Sequence, residues 1–143
     1  MENPHFDIQF EGGKITSAVH LYSGTRIKTD APLDNNGTAT SFSPTDLVSS
    51  ALVSCMVSIF AIHLEKQNQV LKPVKALAKK TMASDPRRIK EIHVEFDFGD
   101  NDFDADLLER FERLAHACPV AKSLNTEIEV ITNFAELIKS AKG

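Results

Sequence analysis

The chain opens on a strict alternation. Phe6, Ile8 and Phe10 occupy every second position, with Asp7, Gln9 and Glu11 between them. That is the period of a strand with one apolar face. Gly12-Gly13 interrupts it, and Ile15, Val19 and Leu21 resume the rhythm. A glycine pair supplies the positive φ angles of a two-residue hairpin turn. Ser23-Gly24 marks a second reversal, before a short strand through Arg26, Ile27 and Lys28. The pattern predicts three antiparallel strands within residues 5–29. Residues 30–41 are mostly Asp, Pro, Asn, Gly, Thr and Ser, which bury little and favour turns, so they are expected to form a loop.

The next segment changes character. From Leu47 to Leu64 there is no Asp, Glu, Lys or Arg. Its start is marked by Ser43, Pro44 and Asp46, the cap, first-turn proline and acid of a Ser-x-x-Asp capping box. A helix over 43–66 follows. It approaches membrane-spanning length, but it contains four serines and His63, and it has no aromatic belt and no strongly basic flank. A helix apolar on all sides is otherwise expected deep inside a soluble fold. Ser50, Ser54 and Ser58 recur every four residues as a ridge of small side chains that a second backbone can approach. One short chain can cover one side of such a helix with a sheet, and covering the other calls for a second copy. The expectation is a homodimer built around this helix, with no membrane partner.

Beyond it, alternation predicts strands within 74–98, in which Ile92, Val94, Phe96 and Phe98 face one way and Glu91, His93, Glu95 and Asp97 the other. Leu107, Leu108, Phe111, Leu114, Ala115 and Cys118 fall at helical spacing and predict a second cysteine-bearing helix over 104–118, ended by Pro119. A short helix through Leu124, then a last strand and helix within 126–142, complete one domain spanning 1–143.

Composition narrows the classes of function. The 143 residues are 42% hydrophobic and 25% charged, with a formal net charge of −4, which fits a single globular domain. No basic cluster exceeds the pairs Lys79-Lys80 and Arg87-Arg88, so phosphate-tracking nucleic-acid binding is not expected. Two cysteines are too few for a secreted disulfide scaffold, and the N-terminus lacks the features of a signal peptide, so a cytoplasmic location is expected.

In a reducing compartment the pair is either two inert buried thiols or a working redox couple. Cys55 lies within the uncharged helix, and Cys118 ends the other. Redox work requires a thiolate, and apolar burial opposes ionisation, so a reactive Cys55 needs a nearby cation. Arg26 is the only arginine before Arg87. His63 and His116 show no standard metal-ligand spacing with the cysteines, and no metal is expected.

Two phrases, SPTDLVSSALVSC and HACPVAKSLN, resemble the two cysteine motifs of the OsmC/Ohr family, the osmotically induced and organic-hydroperoxide-resistance proteins. The resemblance runs over essentially the whole chain and is nearest to the family's YhfA-like branch. It implies an α+β fold with antiparallel sheets packed around a long central apolar helix, an intertwined homodimer, and thiol-dependent reduction of organic hydroperoxides. Carried over, Cys55 is the attacking thiol, Cys118 the resolving one, and Arg26 the cation. An external dithiol is the expected reductant, and no bound cofactor is expected. Where hydroperoxide-reducing members tend to carry glutamate after the motif's proline, this chain has Thr45 followed by Asp46. Asp46 is nine residues before Cys55, about 13.5 Å of helical rise, so it cannot touch its own cysteine. It is a candidate for the acidic role only across a dimer, and it already has a role as a cap. Met56, Ile59 and Phe60, neighbours of Cys55, are the expected walls of an apolar substrate pocket. The alternatives are a non-enzymatic binder of small hydrophobic ligands with unreactive thiols, and metal-dependent hydrolysis if His63 or His116 converges with a cysteine.

Overall fold

In the computed structural model, which describes all 143 residues, the alternating N-terminal residues form three antiparallel strands. These are β1 (Phe6–Gly12), β2 (Ile15–His20) and β3 (Arg26–Asp30), in the order β1-β2-β3. Gly12 and Gly13 sit at φ 101° and 60°, backbone that L side chains rarely adopt. They let the chain reverse between β1 and β2 and take up a register shift between Phe10 and Gly12. Phe6, Ile8 and Phe10 lie opposite His20, Ala18 and Thr16, and Ala18 lies opposite Ile27, so these residues share one face. That face is open: Phe6, Ile8 and Phe10 are 62%, 67% and 73% exposed.

The loop after β3 is held from one residue. Asp30 is buried, and its Oδ2 accepts the hydroxyls of Thr38 (2.6 Å) and Thr40 (2.8 Å) and the backbone N–H of Thr40 (3.0 Å). These donors, led by the Thr38 hydroxyl, outweigh burial and bring the Asp30 carboxyl down to about 2. Within the loop lies a single 3-10 turn, Leu33–Asn35.

α1 (Pro44–Glu65) starts as the capping box requires. Ser43 Oγ accepts the Asp46 N–H at 3.1 Å, and Asp46 Oδ2 accepts the Ser43 N–H at 2.8 Å, two otherwise orphaned donors satisfied reciprocally. The chain divides into two units, Met1–Val48 and Ser49–Gly143. The first contains β1–β3 and the start of α1, and the second the rest.

In the second unit, β4 (Lys75–Ala83) pairs antiparallel with β5 (Arg88–Asp97). α2 (Ala105–Ala117) and the short α3 (Pro119–Ser123) lead to β6 (Glu129–Thr132), and α4 (Phe134–Lys142) closes the chain. β6 joins β5 in parallel, which departs from the expectation of purely antiparallel sheets. The physical reason is the connection: α2 and α3 carry the chain back across, and such a crossover returns a strand in the same direction. Asn133 then ties β6 to β5, since its side chain both accepts from and donates to the backbone of Phe96, at 2.9 Å each way.

The core of this unit packs one side of α1, Leu52, Met56, Phe60 and Leu64, against Ile92, Val94 and Phe96 of β5 and against Leu108 and Phe111 of α2. Phe60 is its hub, stacked on Phe111 at 4.5 Å between ring centroids and edge-on to Phe96 at 5.6 Å and to Phe134 at 6.0 Å. Offset and edge contacts of this kind add about 0.5–1.5 kcal/mol each to the burial of the rings.

Candidate functional site

Both cysteines belong to the second unit, and each is placed by its helix. Cys55 sits one position before Met56, so while Met56 points into the core, Cys55 is turned to its edge and stays half-buried beside the exposed Ser54. Cys118 closes α2: its N–H reaches the Ala115 carbonyl, and its side chain is fully buried. The same residue starts α3. Its Sγ accepts the N–H of Ala121 at 3.4 Å, with Pro119 at the first helical position, where its missing N–H costs nothing.

The two thiols, far apart in sequence, are neighbours, with Cys55 close enough to act on the ionisation of Cys118. Burial pushes the Cys118 thiol up, the adjoining Cys55 adds to the shift, and the N–H groups of Ala121 and Val120 pull against it. Cys118 therefore rests as a thiol. Both sulfurs are free.

The other candidates are distributed differently. Arg26 starts β3 in the first unit, opposite Val19. It is exposed, and no hydrogen bond or ion pair engages it. Asp46 has its carboxylate turned onto the start of α1, where it serves the cap. Met56 and Phe60 are completely enclosed in the core. This corrects the expectation that they line a pocket: of the proposed trio only Ile59 is partly accessible. The side of α1 that carries Cys55 toward solvent carries Val48, Ala51, Ser54, Ser58 and Ile62 instead. His63 is hydrogen-bonded to Gln67 at 2.9 Å, and no three His, Cys, Asp or Glu side chains converge on a point that could hold a metal ion.

Two features, one at the cysteines and one in the first unit, escape the candidate residues altogether. The backbone N–H groups of Ala121 and Val120 aimed at Cys118 are signalled only by Cys-Pro at a helix start. The Asp30 anchor is signalled by nothing more than Thr38 and Thr40 downstream.

The model of the OsmC-like protein family matches residues 37–133, a stretch that contains both cysteines and their helices. The chain belongs to the OsmC-like protein family. A solved structure from Psychrobacter arcticus, described as a putative osmotic stress induced and detoxification response protein, shares 37% identity with this chain. The match covers 92% of this chain and 97% of that one, with a TM-score of 0.85. The organic hydroperoxide resistance protein OhrB of Bacillus subtilis shares the fold at 16% identity, covering 89% and 95% with a TM-score of 0.62. A protein described as an organic hydroperoxide resistance protein OsmC from Legionella pneumophila is similar at 14% identity, covering 92% and 97%, with a TM-score of 0.66. No match is found among curated proteins. The α+β architecture, with two small sheets and a long apolar helix, is that of the OsmC-like fold.

Proposed function

We propose that this OsmC-like protein is a thiol peroxidase that reduces organic hydroperoxides through Cys55 and Cys118. The observation that carries the reading is the pairing itself. Two thiols far apart in sequence lie side by side, one partly accessible and one fully enclosed, which sets their order of reaction. The Cys55 thiolate attacks the distal peroxide oxygen and the O–O bond breaks. The alkoxide leaves, takes up a proton as the alcohol, and Cys55 becomes a sulfenic acid. Cys118, held as a thiol, condenses with it; water leaves and a disulfide remains. An external dithiol restores both thiols. Arg26 is carried over from the resemblance alone as the cation for the Cys55 thiolate and the leaving oxygen, a role that suits a forked guanidinium better than an ammonium. Asp46 is assigned no step, because its carboxylate serves the cap.

Two copies of the chain are part of the proposal. The apolar outward side of α1 and the open face of β1–β3 are surfaces of the sort that assembly covers. An interface that borders Cys55 without closing over it also provides apolar surroundings that favour an organic hydroperoxide over hydrogen peroxide. The adjacency of the thiols favours this reading over the ligand-binding alternative, which expects them well apart.

The test is consumption of cumene hydroperoxide by the purified protein with a dithiol. Cys55→Ser is expected to abolish turnover, while Cys118→Ser is expected to retain one rapid oxidation of Cys55 without forming a disulfide. Turnover that survives Cys55→Ser contradicts the assignment.

A further inference from the structure

The disulfide of the proposed cycle must be opened by a thiol from outside, and its two sulfurs are not equivalent. Cys118 is 0% exposed, enclosed by core residues that include Ala115 and Phe111. A cavity of about 240 Å³ beside α3, lined by His116, Lys122, Leu124 and Ile128 among others, includes Ala121 but not Cys118 in its wall. Cys55 is the half-buried partner. A thiolate attacks along the line of the S–S bond, so the sulfur it reaches must be open on the side away from its partner. Of the two residues only Cys55 has solvent access from which such an attack can start.

The departing sulfur also has a prepared place. Cys118 Sγ already accepts the Ala121 N–H at 3.4 Å as the cap of α3, and a donor fixed on the leaving atom before reaction stabilises charge as it develops there. Resting on the peroxidase reading, we infer that the reducing dithiol attacks Cys55 Sγ, forming a mixed disulfide there, while Cys118 leaves as a thiolate onto the N–H of Ala121.

The step balances. The incoming thiolate forms a bond to Cys55 Sγ, and the Cys55–Cys118 bond breaks with its electron pair going to Cys118, which then takes up a proton. The second thiol of the reductant gives up its proton and attacks the first, releasing Cys55 as a thiolate. The reductant leaves oxidised to its own disulfide, and the protein has gained two electrons.

The experiment uses the full-length protein oxidised with diamide rather than peroxide, so that a protein inactive on hydroperoxides still gives an answer. A monothiol, N-acetylcysteine, is added. The reaction is quenched in acid within the first tenth of its course, and the adduct is located by peptide mass spectrometry. The expected result is at least about a tenfold excess of adduct on Cys55 over Cys118, a ratio that corresponds to about 1.4 kcal/mol, and loss of that bias when the same reaction is run in guanidinium. An adduct shared equally or carried by Cys118 overturns the inference. A bias that persists in denaturant overturns it too, because it would owe nothing to burial. Failure of diamide to link the two thiols overturns both the inference and the reading it rests on, whereas diamide linkage with no reaction toward hydroperoxide overturns the peroxidase alone.

Discussion

Asp30 shows how much of the first unit hangs on one side chain. Its carboxylate draws two threonine hydroxyls and a backbone N–H across the loop, and these donors favour the charged form. Because its pKa is lowered to about 2 from an ordinary 3.8, it contributes stability that is complete above the ordinary value and is lost as pH falls toward the lowered one. Asp30→Asn is therefore expected to lower the denaturation midpoint at neutral pH, with the gap to the wild type closing between about pH 4 and pH 2; a gap independent of pH contradicts this account. At this scale the sequence is only partly readable. Cys55 and Cys118 were marked as candidates by their motifs, and their adjacency was implied by the resemblance alone. Met56 and Phe60 were misread as pocket walls for a definite reason: a helix without charged residues on any side carries no mark of which side meets the core. The enclosed positions 52, 56, 60 and 64 become distinguishable from 51, 54, 58 and 62 only when β5 and α2 are in place.

Among the elements, α1 is the one whose start was fully legible. Ser43, Pro44 and Asp46 announced a capping box, and the reciprocal hydrogen bonds are present. Removing the hydroxyl with Ser43→Ala should cost about 1 kcal/mol, within a range of about 0.5–2, measured by urea denaturation with an unchanged m-value. A loss below a few tenths of a kcal/mol would mean that the cap is redundant. β5 was equally legible, because unbroken alternation from Glu91 to Asp97 leaves little choice of face. β6 was not. Four residues carry too little pattern to give direction, and its parallel pairing follows from the α2–α3 crossover, a tertiary feature. The arrangement at Cys118 joins the element to the proposed chemistry, since the residue that ends α2 and caps α3 is also the sulfur proposed to resolve the sulfenic acid. On that proposal a helix start holds the departing sulfur with no side chain devoted to the task.

For the whole molecule, the sequence argued that a chain with one long charge-free helix needs a second copy. The structure adds an observation of its own: besides the outward side of α1, three aromatic and aliphatic residues of β1 lie open to solvent. Dimerisation is expected to cover both, and sedimentation should give twice the chain mass at micromolar concentration. Ser54→Arg, placed on the exposed ridge of α1, should shift the protein to monomer, because a buried guanidinium without a partner costs several kcal/mol. A wild-type monomer, or an unaffected Ser54→Arg dimer, contradicts the assembly.

The central claim, that the adjacent thiols form a peroxide-reducing couple, is tested most directly by stopped-flow oxidation of the fully reduced protein with cumene hydroperoxide and, separately, with hydrogen peroxide, counting free thiols. The account predicts loss of both thiols per equivalent of organic peroxide, orders of magnitude faster than a free thiol reacts and faster than with hydrogen peroxide. Oxidation of both peroxides at the rate of a free thiol, or loss of one thiol with no disulfide, would contradict it.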